Sequence, residues 1–323
     1  MPLPFLLLRR LCPLRLLRLD FMPSALEKSI LRTLAWFSVL EYPATTFEVW
    51  KWLHAPPSYV TLLQVGECLR SSPFVIEKTE WTHGFVTLNG ASDLLTRRHA
   101  RFLSSMKKWH RLSWVCCLAR HIPWVKGVAA ANTLSYFSAG EKSDIDIFVI
   151  VRRGAVWLTR LLLVTPFALL RLRPGTGKEH PFCFSFFTSD TSLGLANLRF
   201  VPSEPYLPFW IRSLVPVLER EAVFSSFHEA NQWAARSFPN AFGKAIRPVL
   251  DRRAGWSLWF PGWMEGLARW FQQKRFPSAV RSLQNIDTRV VVNESMIKLH
   301  ETDARADFAR RFFVLCQKLE ATP

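Results

Sequence analysis

Apolar positions recur at helical spacing through the first third of the chain. Ile30, Leu31, Leu34, Trp36, Phe37 and Leu40 give an apolar face behind a capping box, Ser24-x-x-Glu27, and Pro43 ends the run. A second capping box, Thr45-x-x-Glu48, opens a short helix through Val49, Trp52 and Leu53. Ser58 is placed to cap a third helix through Leu62, Val65 and Leu69, ending near Arg70. Phe74-Val75-Ile76-Glu77 and Phe85-Val86-Thr87-Leu88 then read as two strands around a turn at Thr82-His83-Gly84. A long helix follows over residues 91–120.

The run Ser143-Asp144-Ile145-Asp146-Ile147-Phe148-Val149-Ile150-Val151 is β-branched and aromatic, so it reads as a buried strand. Alternation puts Asp144 and Asp146 on one face and Ile145, Ile147 and Val149 on the other. Two adjacent carboxylates repel and are costly to bury without a partner. A divalent cation removes that cost, and hard oxygen ligands suit Mg²⁺ or Mn²⁺. Upstream, Trp124-Val125-Lys126-Gly127 predicts a short strand ending in glycine. Val128-Ala129-Ala130-Ala131-Asn132 predicts a small-residue turn into a helix, where backbone N–H groups approach a phosphate. Residues 155–172 are apolar, but Arg160 interrupts them, Pro166 kinks them, and they fall short of the about 20 residues of a membrane span. A buried helix over the sheet is expected. Pro181-Phe182-Cys183-Phe184-Ser185-Phe186-Phe187 predicts a further strand with no acid, and Asp190 lies just past it. Pro174-Gly175-Thr176-Gly177-Lys178 lacks the spacer of a P-loop and reads as a turn.

The last third predicts helices over residues 207–224 and 226–238 and a tryptophan stripe at Trp256, Trp259, Trp263 and Trp270. One added strand is expected at residues 289–292, then a final helix over 305–319. His300-Glu301-x-Asp303 leads into that helix.

Strand, glycine turn, short helix, loop, then a strand carrying Asp-x-Asp resembles the polymerase-β-like nucleotidyltransferase superfamily. The resemblance rests on Gly127, Ala130, Asn132 and Asp144-Ile145-Asp146. Val128 stands where that family has Gly or Ser, and its third carboxylate has no counterpart here. The flanking parts resemble a winged helix before the motif and a helical region after it. The expected class is therefore α+β: a winged-helix-like domain over residues 24–90, a minimal nucleotidyltransferase domain with a mixed sheet over 91–205, and a helical region over 206–323. The third helix of the first domain carries one cation, Arg70, so protein docking or spacing stands beside duplex binding as its role.

The resemblance implies metal-dependent transfer of a nucleoside monophosphate from a nucleoside triphosphate to an acceptor. Asp144 and Asp146 would hold Mg²⁺ or Mn²⁺. Gly127, Val128, Asn132, Lys142 and Ser143 would meet the nucleotide. A catalytically degenerate regulator, binding a nucleotide or nucleic acid without turnover, is the alternative.

Charge enlarges the partner list. Lys and Arg number 42 against 25 acids, a net charge of +17 over 323 residues. That balance favours nucleic acid, nucleotides or an anionic membrane surface. Arg97, Arg98, Arg101, Lys107 and Lys108 on the long helix form either a solvated face or a contact for RNA or DNA. The six cysteines show no metal spacing and read as reduced core residues of a cytoplasmic protein. Residues 1–23 interleave Leu with Arg and lack an apolar signal core. They read as a basic amphipathic helix or as untranslated sequence ahead of Met22.

Overall fold

The computed structural model describes residues 22–90, 93–201, 204–241, 262–302 and 304–320. The Leu/Arg-rich segment at residues 1–21, Cys12, Trp256, Trp259 and Asp303 lie outside them.

The first unit is α1 (Ala25–Val39), β1 (Ala44–Thr45), α2 (Thr46–Lys51), α3 (Leu62–Ser71), α4 (Pro73–Ile76), β2 (Thr79–Thr82) and β3 (Phe85–Leu88). Both expected capping boxes form, at Ser24/Glu27 and Thr45/Glu48. The third helix is capped by Thr61 with Gln64, not by Ser58. Residues 74–76 are helical rather than extended, and Glu77 is the C-cap. Pro73 sits in the first turn and the Ser72 hydroxyl accepts from Val75 N–H, so capping overrides the β-branched composition. The strand partner of β3 is therefore the more polar β2, and the three strands run in the order β1-β3-β2.

Next come α5 (Leu94–Ala119), β4 (Val125–Ala130), α6 (Asn132–Ser135), β5 (Ile145–Val151), α7 (Val156–Leu169) and β6 (Phe182–Ser189). After them come α8 (Tyr206–Ser213), β7 (Val215–Glu219), α9 (Val223–Ala230) and α10 (Gln232–Ser237). The chain closes with α11 (Gly262–Lys274), α12 (Ser278–Leu283), β8 (Val290–Val292), β9 (Met296–Leu299) and α13 (Arg305–Glu320). The large sheet is mixed and runs β7-β4-β5-β6-β9-β8. Only β5 and β6 are parallel neighbours; the other pairs are antiparallel.

Two strands replace expected helix or loop. Residues 215–219 form β7 rather than continuing a helix, because Pro216 stops the helical ladder and the flanking valines favour extension. Pro216 is tolerated because β7 is an edge strand. β9, which couples β6 to β8, includes Lys298, whose ammonium bonds to Thr288 O at 2.6 Å.

The β5 pleat divides the core. Ile145, Ile147, Val149 and Val151 face α5, α7 and α11, whereas Phe148 and Ile150 face α8 and α9. Each such buried side chain contributes about 1.5–3 kcal/mol of apolar transfer. α7 is held against α11: Arg160 donates to Gln272 Oε1 at 2.6 Å, and Glu265 accepts from Trp157 and Leu158 N–H. Among the described residues, no helix is long and apolar enough to cross a membrane. α1 and α13 pack together, with Trp36 edge-on to Tyr206, Phe209, Phe308 and Phe312.

Candidate functional site at the start of β5

Asp146 is the second residue of β5, and Asp144 immediately precedes the strand. Ala131 N–H donates to Asp146 O, so the turn between β4 and α6 lies beside the Asp pair. Asn132 opens α6 with φ of 51°, a left-handed conformation that Asn accepts more readily than most residues. The Asp146 carboxylate accepts from the Asn132 side chain and from the Cys183 thiol. Burial, with help from Asp144, raises its pKa to about 6. Tyr206 Oη donates to Asn132 Oδ1 at 3.3 Å.

Beyond Asp146 lies an aromatic cavity of about 280 Å³. Trp36 of α1 and Leu40 just past its end, Tyr206 and Phe209 of α8, and Phe308 of α13 wall it. Asn132, Ser143 and Asp146 supply its polar side.

Asp144 opens instead onto a wider groove of about 770 Å³, between α5 and the glycine turn at residues 174–178. Lys107, Lys142, Lys178 and His180 line it. Lys107 and Lys142 are exposed, while Lys178 donates to Leu170 O at 2.9 Å. Burial raises the Asp144 pKa, while Lys108 and Arg173 oppose that rise. The loop feeding Asp144 is tied to α5. Ser105 Oγ accepts from Ala139 N–H at 2.9 Å, and Trp109 Nε1 donates to Leu134 O at 3.2 Å.

Gly127 and Val128 do not belong to this site. Both lie inside β4, and Gly127 pairs with Ile150, four residues along β5 from Asp146. At about 3.3 Å per residue that is about 13 Å away. The glycine serves packing: an added Cβ would lie 2.8 Å from Phe224 Cε2 and 2.9 Å from Val223 Cγ1. Val128 is fully buried in the core. The strand continues to Ala130 because small and β-branched residues extend without strain, which moves the turn to Asn132.

The basic helix also divides. Arg98 stacks on Tyr42 and Phe85 and bonds to Pro43 O and Glu48, with Glu48 at 2.8 Å. Arg101 bonds to Glu41 Oε2 at 2.6 Å, and Arg97 lies 3.6 Å from the same oxygen. These arginines join α5 to the first unit. Lys108 is 0% exposed, so it cannot touch nucleic acid. Its ammonium donates to Gly140 O, to Glu141 O at 3.3 Å and to Ser143 Oγ at 3.1 Å. Of the five cations read from sequence, Lys107 alone is both exposed and on the groove.

β6 lies parallel beside β5 and places Cys183 opposite Asp146. Asp190 is at the other end, where its Oδ1 accepts from Arg153 N–H at 2.9 Å. Among the described residues, no group of three or more His, Cys, Asp or Glu is arranged to hold a metal ion. Two carboxylates beside an open groove still suit Mg²⁺, which is commonly held by one or two carboxylates with substrate phosphates and water. Sequence reasoning missed Tyr206, Phe308 and Arg173, because only tertiary contacts bring them to the Asp pair. No protein-family model, curated protein or solved structure matches this chain.

Proposed function

We propose that this chain is a nucleotidyltransferase-like protein of the polymerase-β-like type that binds a nucleoside triphosphate with Mg²⁺ or Mn²⁺ at Asp144 and Asp146. One observation carries this reading: the Asp pair stands between an aromatic cavity and a lysine-lined groove. An aromatic enclosure suits a nucleobase, and lysines suit a polyphosphate. In this reading Asn132 and Tyr206 orient the nucleoside, and Lys107 and Lys142 hold the phosphates. The divalent ion would offset charge as pyrophosphate leaves. Asp144 and Asp146 would hold that ion and, through it, the reacting phosphate. Residues 24–90 act as a winged-helix-like unit whose α1 roofs the nucleoside cavity.

Cys183 favours a second reading, a degenerate protein that binds nucleotide without turnover. It faces Asp146 from the strand where the family resemblance calls for a third carboxylate. A neutral thiol neither holds a hard cation well nor accepts a proton from an acceptor hydroxyl at neutral pH.

Thermal unfolding with Mg²⁺ and each of the four common nucleoside triphosphates tests the site. At least one should raise the melting temperature, since a ligand of the folded state stabilises it. Asp144→Asn with Asp146→Asn should abolish that rise; an unchanged rise would place the nucleotide elsewhere. Labelled nucleoside triphosphate with cell extract then separates the two readings: label transferred to an acceptor supports the transferase, and label retained only as bound nucleotide supports the degenerate form.

A further inference from the structure

We propose that Lys108 is the resident second cation of the acidic site, so that the site takes one divalent ion per nucleotide rather than two. The inference rests on the nucleotide-binding reading above. Lys108 reaches in from α5, its side chain has no exposed surface, and it donates to two carbonyls and a hydroxyl within residues 140–143. Three acceptors match the three hydrogens of an ammonium. A buried ammonium is costly unless hydrogen-bonded and faced by negative charge. The segment it grips leads directly into Asp144, and its charge acts on both Asp144 and Asp146.

Two further groups bear on the balance. Arg173 faces Asp144 from the loop after α7. Cys183 faces Asp146 from β6, where it supplies a thiol and no carboxylate. Two divalent ions about 3.5–4 Å apart repel each other and need several carboxylates to hold them. Here two carboxylates already answer to an ammonium and a guanidinium. One divalent ion, sharing its coordination with phosphate oxygens, fits that charge.

The test is equilibrium dialysis of the full chain against Mn²⁺ and each α,β-methylene nucleoside triphosphate, measuring retained Mn²⁺ and nucleotide separately. We expect one Mn²⁺ per bound nucleotide. Two per nucleotide would overturn the role of Lys108 and leave nucleotide binding intact, whereas no retained nucleotide would overturn both. Cys183→Asp, with Lys108 in place, should still retain one; a ratio of two there would assign the limit to the thiol instead. Folded Lys108→Met should bind Mn²⁺ about tenfold more tightly, because a competing cation is gone. Unchanged or weaker binding in that variant would overturn the assignment.

Discussion

Asp144 and Asp146 are two residues apart, yet they border opposite kinds of space. Asp144 meets a wide groove with exposed lysines, made mostly from residues 100–107, 141–144 and 175–181. Asp146 meets a small aromatic cavity assembled from α1, α8 and α13. The groove is a surface feature, and its side chains can change with little effect on folding. The cavity is continuous with the core, so its shape and the protein's stability are set by the same rings. The charged wall and the aromatic wall are thus built with different tolerance to substitution.

The largest effect that would sharpen this contrast is at Trp36. Trp36→Ala should cost about 3–5 kcal/mol in urea unfolding, because a fully buried ring with four aromatic neighbours is removed. A loss under about 1 kcal/mol would mean that the cavity wall is not core.

Protonation gives the next effect. His54 packs edge-on against Phe238 and Phe312. Burial, aided by Arg32, lowers its pKa to about 4. The fold therefore favours neutral His54. Its contribution is complete above the ordinary value of 6.5 and is lost as pH falls from there toward about 4. Linkage over that window is worth about 3 kcal/mol. The stability difference between wild type and His54→Gln should shrink across this window as pH falls; a pH-independent difference would show that the aromatic side accepts charge.

Gly127→Ala tests whether the glycine packs or binds. Overpacking against Phe224 and Val223 should cost about 1–3 kcal/mol. Nucleotide-dependent stabilisation should stay the same, since the residue is remote from the Asp pair. Loss of that stabilisation in a folded variant would return Gly127 to the site.

The smallest folding effect belongs to the groove. Lys107→Gln with Lys142→Gln should change stability by no more than about 0.5 kcal/mol each. The same pair should weaken nucleotide binding and reduce its dependence on salt. Binding with an unchanged salt dependence would move the phosphates out of the groove.

The contrast also explains what the sequence disclosed. β5 and β6 were legible because their patterns are long and apolar. The polar β2 and the lysine in β9 break the alternation, so those strands escaped notice until their partners were known. At the site, the Asp pair and Asn132 were readable because their spacing is local. Gly127 was misplaced because composition alone does not say where a strand of small residues stops. Lys108 resembled its exposed neighbours, and only the return of residues 140–143 onto α5 turns it inward. Cys183 gained meaning from strand register, which no single segment encodes.

The cavity wall has a consequence for synthesis on the ribosome. Trp36 is made early, whereas Phe308 belongs to the last described helix. A nascent chain can expose β5 and its Asp pair long before the wall at α13 exists. The aromatic wall around Asp146 is therefore complete only once the last described helix is made. A chain halted before residue 305 would display the acidic pair without the Phe308 side of its enclosure.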